Sequence, residues 1–130
     1  MPNEELLRRA LEQLFGARRI EPELLAEDVE WINPHDAVEP GTHHGEAAFN
    51  SAIANVFATW DDVQFDIDRV TDGGDAVVVA LGTLRGHLHD SGMEVTAPHG
   101  QVWTFREGRA VRMIWFNSHE AALQAGGLED

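Results

Sequence analysis

The 130-residue chain sets 23 Asp and Glu against nine Arg and no Lys, a net charge of −14 at neutral pH. That surplus repels phosphate backbones and anionic lipid, which makes nucleic acid and membrane poor partners. With no cysteine, disulfides, thiolate catalysis and cysteine-based zinc sites are excluded. A hydrophobic share of 43% is ordinary for a globular protein, so one domain over residues 1–130 with one real core is expected. No apolar run approaches the roughly 18–20 residues of a spanning helix. The start, MPNEELLRRALEQLF, lacks the features of a signal peptide, and a cytoplasmic protein is the default expectation.

Asn3 reads as the N-cap of a helix running to about Phe15, with Leu7, Ala10, Leu11 and Leu14 at helical spacing and Gly16 at its end. Pro22 opens a short second helix, Glu23 to Glu27. DVEWIN (28–33) alternates like a strand and stops at Pro34, and the Pro-, Gly- and His-rich stretch 34–45 reads as a loop. From Glu46 to Trp60 comes the strongest helix, with Phe49, Ile53, Val56, Phe57 and Trp60 on one apolar stripe that reads as core. The remainder reads as strands: 63–70, a hairpin turn at DGGD (72–75), 76–89, 93–105 with a possible break at Pro98, a turn at Glu107–Gly108, and 109–117. Ser118 or Asn117 caps a final short helix, HEAALQA. Helices first and an antiparallel meander after them make an α+β arrangement.

The ordered segments LLAEDVEWINP, GTHHGEAAFNSAIANVF, VVALGTLRGH, VWTFREGRAVRMIWFN and EAALQAGGL resemble a SnoaL-like domain of the nuclear-transport-factor-2-like superfamily over nearly the whole chain. The resemblance implies a strongly curved, mostly antiparallel sheet forming a cone around a long helix, with N-terminal helices and a short C-terminal one. It also implies a pocket for a small hydrophobic organic molecule. The family includes polyketide cyclases, ketosteroid isomerases, dehydratases and epoxide hydrolases, along with non-catalytic binding and dimerisation domains, so the fold leaves the reaction open.

Period-two alternation sorts the strand residues onto two faces. Val78, Ala80, Gly82, Leu84, Gly86 and Leu88 share the face expected to line the interior. Val77, Val79 and Leu81 fall on the outer face with Thr83, Arg85, His87 and His89, and this apolar strip, together with family habit, suggests a homodimer. His99, Gln101, Trp103 and Phe105 share the inward face of the next strand, because two aromatics are hard to leave in water. In the last strand Val111, Met113, Trp115 and Asn117 oppose Ala110, Arg112, Ile114 and Phe116, and Arg112 marks the second set as outward. Trp31 and Asn33 share a face of the first strand, with His35 just beyond, at the mouth.

The candidate site is therefore apolar and aromatic with few polar groups: His99 and Asn117 as candidate catalytic groups, and Trp31, Asn33, His35, Gln101 and Trp103 as substrate-binding residues. Each polar residue also has a plain structural alternative: a turn for Asn33, a helix cap for Asn117, an exposed bulge for His99. Without tyrosine, the tyrosine-based oxyanion hole of isomerases in this class cannot be present. SnoaL-like cyclases use an aspartate near the last strand, where this chain has Asn117-Ser118. The Asp–Arg–Asp set of the epoxide hydrolases falls on His99, Gln101 and Asn117. Histidine is then the inward group suited to proton transfer near neutral pH, with His35 as rival to His99. A non-catalytic ligand-binding module is the alternative. A metal site at His87 and His89 with Glu94, or at His43-His44, is a third reading, and neither metal nor cofactor is expected.

Overall fold

The computed structural model describes residues 2–35, 37 and 40–128, so Asp36, Val38 and Glu39 of the expected loop lie outside the described residues. Helix α1 (Asn3–Gly16) buries Leu6, Leu7, Ala10, Leu11 and Leu14. Its N-cap is Pro2, with Asn3 inside the helix, and Gly16 belongs to its last turn. The expected second helix is a single 3-10 turn, Pro22–Leu24. Strand β1 starts directly after it and runs from Leu25 to Asn33. Part of the expected loop is strand β2 (Gly41–His44), paired antiparallel with β1 so that His43 lies opposite Trp31.

Helix α2 (Glu46–Phe57) buries Phe49, Ala52, Ile53 and Phe57. Trp60 is not on this helix: it opens strand β3 (Trp60–Gly74), because the chain turns at Ala58 and Thr59. β4 (Val77–Leu88), β5 (Glu94–Arg106) and β6 (Arg109–Phe116) follow as a meander, and β5 runs unbroken through Pro98, which pairs with Thr83. The β3–β4 turn lies at Asp75–Ala76, so it begins at the last residue of DGGD while Asp72 to Gly74 still belong to β3, and both turn residues are left-handed at φ 50° and 66°. Two consecutive positive φ values are what a tight two-residue hairpin needs. Ser118 caps helix α3 (His119–Ala125) by accepting the Ala121 N–H at 3.1 Å.

The six strands form one sheet in the order β2-β1-β6-β5-β4-β3, antiparallel except for the β1–β6 pair. β3 packs so closely over β4 that a Cβ on Gly82 would lie 1.9 Å from the Asp66 carbonyl, and one on Gly86 would lie 2.2 Å from that of Asp62. Glycine at these two positions is what lets the edge of the sheet close over. The concave face carries Val78, Ala80, Trp103, Phe105 and Met113 against α1 and α2, forming the main core. Ala110 is also on this side, contrary to alternation, since the β5–β6 register shifts between Thr104 and Phe105. No helix among the described residues is long and apolar enough to cross a membrane.

The convex face bears a second, smaller cluster. Val79, Leu81 and Val102 pack there under Ala122 and Leu123 of α3, with Val77, Ile114, Phe116 and Leu128 at the rim. The strip expected to seek a partner subunit is thus largely covered by the chain's own C-terminal helix.

Phe49 is fully buried between Trp31, whose ring it meets edge-on at 5.3 Å, and Trp103. Phe49→Ala is expected to cost on the order of 3–5 kcal/mol in urea unfolding. Met93→Ala, at a side chain 60% exposed in the β4–β5 turn, should stay within about 0.5 kcal/mol of the native protein. Equal effects at the two positions would contradict this core.

Candidate functional site

Between α1, α2 and the bent sheet lies a cavity of about 110 Å³. Its walls are Leu14 and Phe15 from α1, Val56 and Phe57 from α2, Trp31 from β1, Trp60 and Val63 from β3, Leu84 from β4 and Trp115 from β6. Three polar side chains complete the lining: His99, Gln101 and Asn117. A cleft of about 350 Å³ adjoins it, sharing Val56, Trp60 and Trp115 and adding Asn33, Ala37, Asn55 and Thr59.

The polar groups form a directional relay along β5. Trp103 is fully buried behind the cavity and donates its indole N–H to Gln101 Oε1 at 2.9 Å. An indole can only donate, so this contact fixes which end of the amide is oxygen. Gln101 Nε2 then donates to His99 Nε2 at 3.2 Å, and His99 Nδ1 donates to Asn117 Oδ1 at 3.0 Å. The imidazole packs edge-on to Phe65 at 5.1 Å and stacks on Trp115 at 5.9 Å. Burial among these rings lowers the His99 pKa from 6.5 to about 4, against an upward pull from Asn117 and with a smaller downward push from His119. His119 itself donates Nε2–H to the Gly82 carbonyl at 2.7 Å.

A second amide serves the two indoles of the opposite wall. Asn33 Oδ1 accepts from Trp31 Nε1 at 2.7 Å and from Trp115 Nε1 at 2.8 Å. Of the residues singled out from the sequence, the structure brings His99, Asn117, Gln101 and Trp31 to one cavity and places Asn33 in the adjoining cleft. Trp103 stands behind the wall as the donor to Gln101. His35 is exposed and lines neither space. Sequence reasoning passed over Phe15, Phe57 and Trp60 as site residues. Phe57 and Trp60 were assigned to a core stripe, and no local signal marks a core residue that also borders a void.

Three histidines outside the cavity, His44, His87 and His89, lie against carboxylates. His87 Nδ1 lies 2.8 Å from Asp62 Oδ1 and His89 Nδ1 lies 2.6 Å from Asp61 Oδ1, contacts that raise both histidine pKa values. The two rings thus turn to separate partners, and among the described residues no group of three or more His, Asp or Glu is placed to hold a metal ion. His43 and His44, expected on a flexible loop, are on β2, with His44 Nδ1 3.3 Å from Glu30.

A family model, the SnoaL-like domain, matches residues 8–113. Solved structures agree with this fold. A protein from Jannaschia sp. CCS1 described as a SnoaL-like polyketide cyclase is 21% identical with a TM-score of 0.77, over 95% of this chain and 90% of that one. A protein with a ketosteroid isomerase-like fold from Catenulispora acidiphila, in complex with trimethylamine, is 18% identical with a TM-score of 0.73, over 96% and 94%. TerC, co-crystallised with polyporic acid, is 27% identical with a TM-score of 0.74, over 98% and 99%. No curated protein matches the chain.

The depressed His99 pKa ties the site to stability. Between pH 6.5 and about 4 the unfolded chain takes up a proton that the folded one refuses. Stability therefore falls as pH drops through that window, by about 3 kcal/mol in total, and is fully present above it. His87 and His89 act in the opposite sense, since a raised pKa favours the fold below the unfolded value. Urea titrations of native protein and His99→Gln at pH 7 and pH 4.5 should show a smaller acid loss in the variant. Equal losses would remove His99 from the acid response.

Proposed function

The chain belongs to the SnoaL-like domain family, and on that premise we propose that it binds a small, uncharged, hydrophobic organic molecule in the cavity beside His99. One observation carries this reading: the cavity offers five aromatic rings and a neutral polar trio, while no carboxylate, guanidinium or ammonium is among its described lining residues. A charged ligand would be buried without a counter-charge, which is costly. The co-crystallisation of TerC with polyporic acid supports a small-organic-molecule site in a relative of this degree of identity.

Within this reading Trp31, Trp60 and Trp115 are the flat walls against which a ring lies, and Asn33 holds two of those indoles in place. The N–H hydrogens of Gln101 and Asn117 not used in the relay take an acceptor oxygen of the ligand. His99 is the one titratable side chain among the described lining residues and the group that handles a proton if the bound molecule is turned over, by isomerisation, cyclisation or dehydration. With a conjugate acid near 4 it is a base of carboxylate strength. To receive the proton at Nε2, it exchanges its Gln101 hydrogen bond for one to the substrate. A purely binding role differs from this only in the absence of that exchange.

Three of the four tryptophans line the cavity, so quenching of intrinsic fluorescence reports occupancy. Acetophenone should bind more tightly than ethylbenzene, which has the same ring but no acceptor, by roughly 2- to 10-fold for one net hydrogen bond. Failure of both to quench would overturn the site; equal affinity would overturn the role of the amides. For a compound that is turned over, His99→Gln should lower the rate by about 10²–10⁴-fold and His35→Gln should leave it unchanged. The reverse pattern would transfer the role to His35.

A further inference from the structure

We infer that the buried indole of Trp103, which does not reach the cavity, sets the polarity of the three side chains His99, Gln101 and Asn117 that do. The argument is one of hydrogen-bond accounting. The indole N–H can only donate, and its acceptor is Gln101 Oε1 at 2.9 Å. With the oxygen turned back, Gln101 presents its NH₂ to His99 Nε2 at 3.2 Å, and that nitrogen must offer a lone pair. The His99 proton is therefore on Nδ1, where it is donated to Asn117 Oδ1 at 3.0 Å. Asn117 is held with its oxygen on His99, which leaves the hydrogens of its NH₂ outside the series. Each bond determines the sense of the next, and the series starts at a residue with no exposed surface.

Trp103 is thus a positioning residue. Through it the site holds His99 as the Nδ1–H tautomer, the less common form of free imidazole in water, and presents amide hydrogens to a ligand. Removing the indole N–H frees Gln101 to exchange its two ends. His99 can then carry its proton on Nε2, and Asn117 can turn its oxygen outward. The tautomer is a property of the protein alone; only its consequence for ligand preference rests on the binding reading above.

Long-range nitrogen–proton correlation spectra of ¹⁵N-labelled protein at pH 7 distinguish the protonated ring nitrogen from the bare one. In the native protein a single form of His99 with hydrogen on Nδ1 is expected, and hydrogen on Nε2 would overturn the inference. Trp103→Phe keeps a ring between Phe49 and Phe105 but deletes the donor, and His99 should relax to a mixture of tautomers. Should that variant fail to fold, Gln101→Met interrupts the series one bond further along and should give the same mixture. Trp31→Phe deletes an indole N–H outside the series and should leave the native pattern. A pure Nδ1–H form in the relay variants, or relaxation in Trp31→Phe as well, would show that the tautomer has another origin. Because no ligand is used, the result is independent of whether acetophenone binds.

Discussion

An indole N–H shut away from water has to be given an acceptor, and in this fold that demand arises at the centre of the concave sheet, at Trp103. Strand geometry supplies the answer. Residues two apart on a strand face the same way, close enough for a long side chain to reach its neighbour, so Gln101 meets Trp103 and His99 meets Gln101. The same spacing recurs on β1, where Trp31 donates to Asn33. Two indole–amide pairs, on strands separated only by β6, bring polar atoms into an otherwise apolar interior without leaving any unpaired. No buried side-chain nitrogen or oxygen lacks a partner among the described residues. The polar content of the cavity is in this sense a by-product of burying tryptophan in a sheet.

The division of charge follows from the same economy. The chain carries a net charge of −14, yet no carboxylate is among the described residues that line the cavity. Acidic residues lie where water or a basic side chain can meet them, as Asp62 and Asp61 meet His87 and His89, Asp28 meets Arg106, and Asp66 meets Arg85. His99 resolves the conflict between burial and charge by giving up its proton, while His87 and His89 hold theirs more firmly because an aspartate lies beside each. Two populations of one residue type thus move in opposite directions for one physical reason: the presence or absence of solvent and counter-charge.

Much of this was legible because alternation is a strong signal wherever a strand stays regular. β5 pairs with β4 without a register shift from Val77–Thr104 to His87–Glu94, and the face assigned to His99, Gln101 and Trp103 follows directly. Alternation fails at Ala110 because a bulge intervenes, and bulges carry little sequence signature. β2 was hidden inside a Pro- and Gly-rich stretch, since a four-residue edge strand with an exposed pattern owes its existence to its partner β1. Trp60 fits the helical spacing of α2 as well as it fits the start of β3, and periodicity alone cannot separate the two. The cover that α3 lays over Val79 and Leu81 depends on where the last seven-residue helix folds back, information held in long-range packing. The relay itself was out of reach from sequence: its members were named, but the order of donors depends on distances.

β3 occupies one edge of the sheet for fifteen residues, with only β4 beside it. An open edge of that length would ordinarily recruit a strand from another molecule and seed a fibril. Here the strand carries five aspartates, at positions 61, 62, 66, 68 and 72, and its pairing with β4 shifts register three times. Stacking a second copy in register would bring like charges face to face along an irregular ladder. The acidity of this strand keeps the edge from templating its own kind, so solubility at high concentration should be lost first where these aspartates are neutralised.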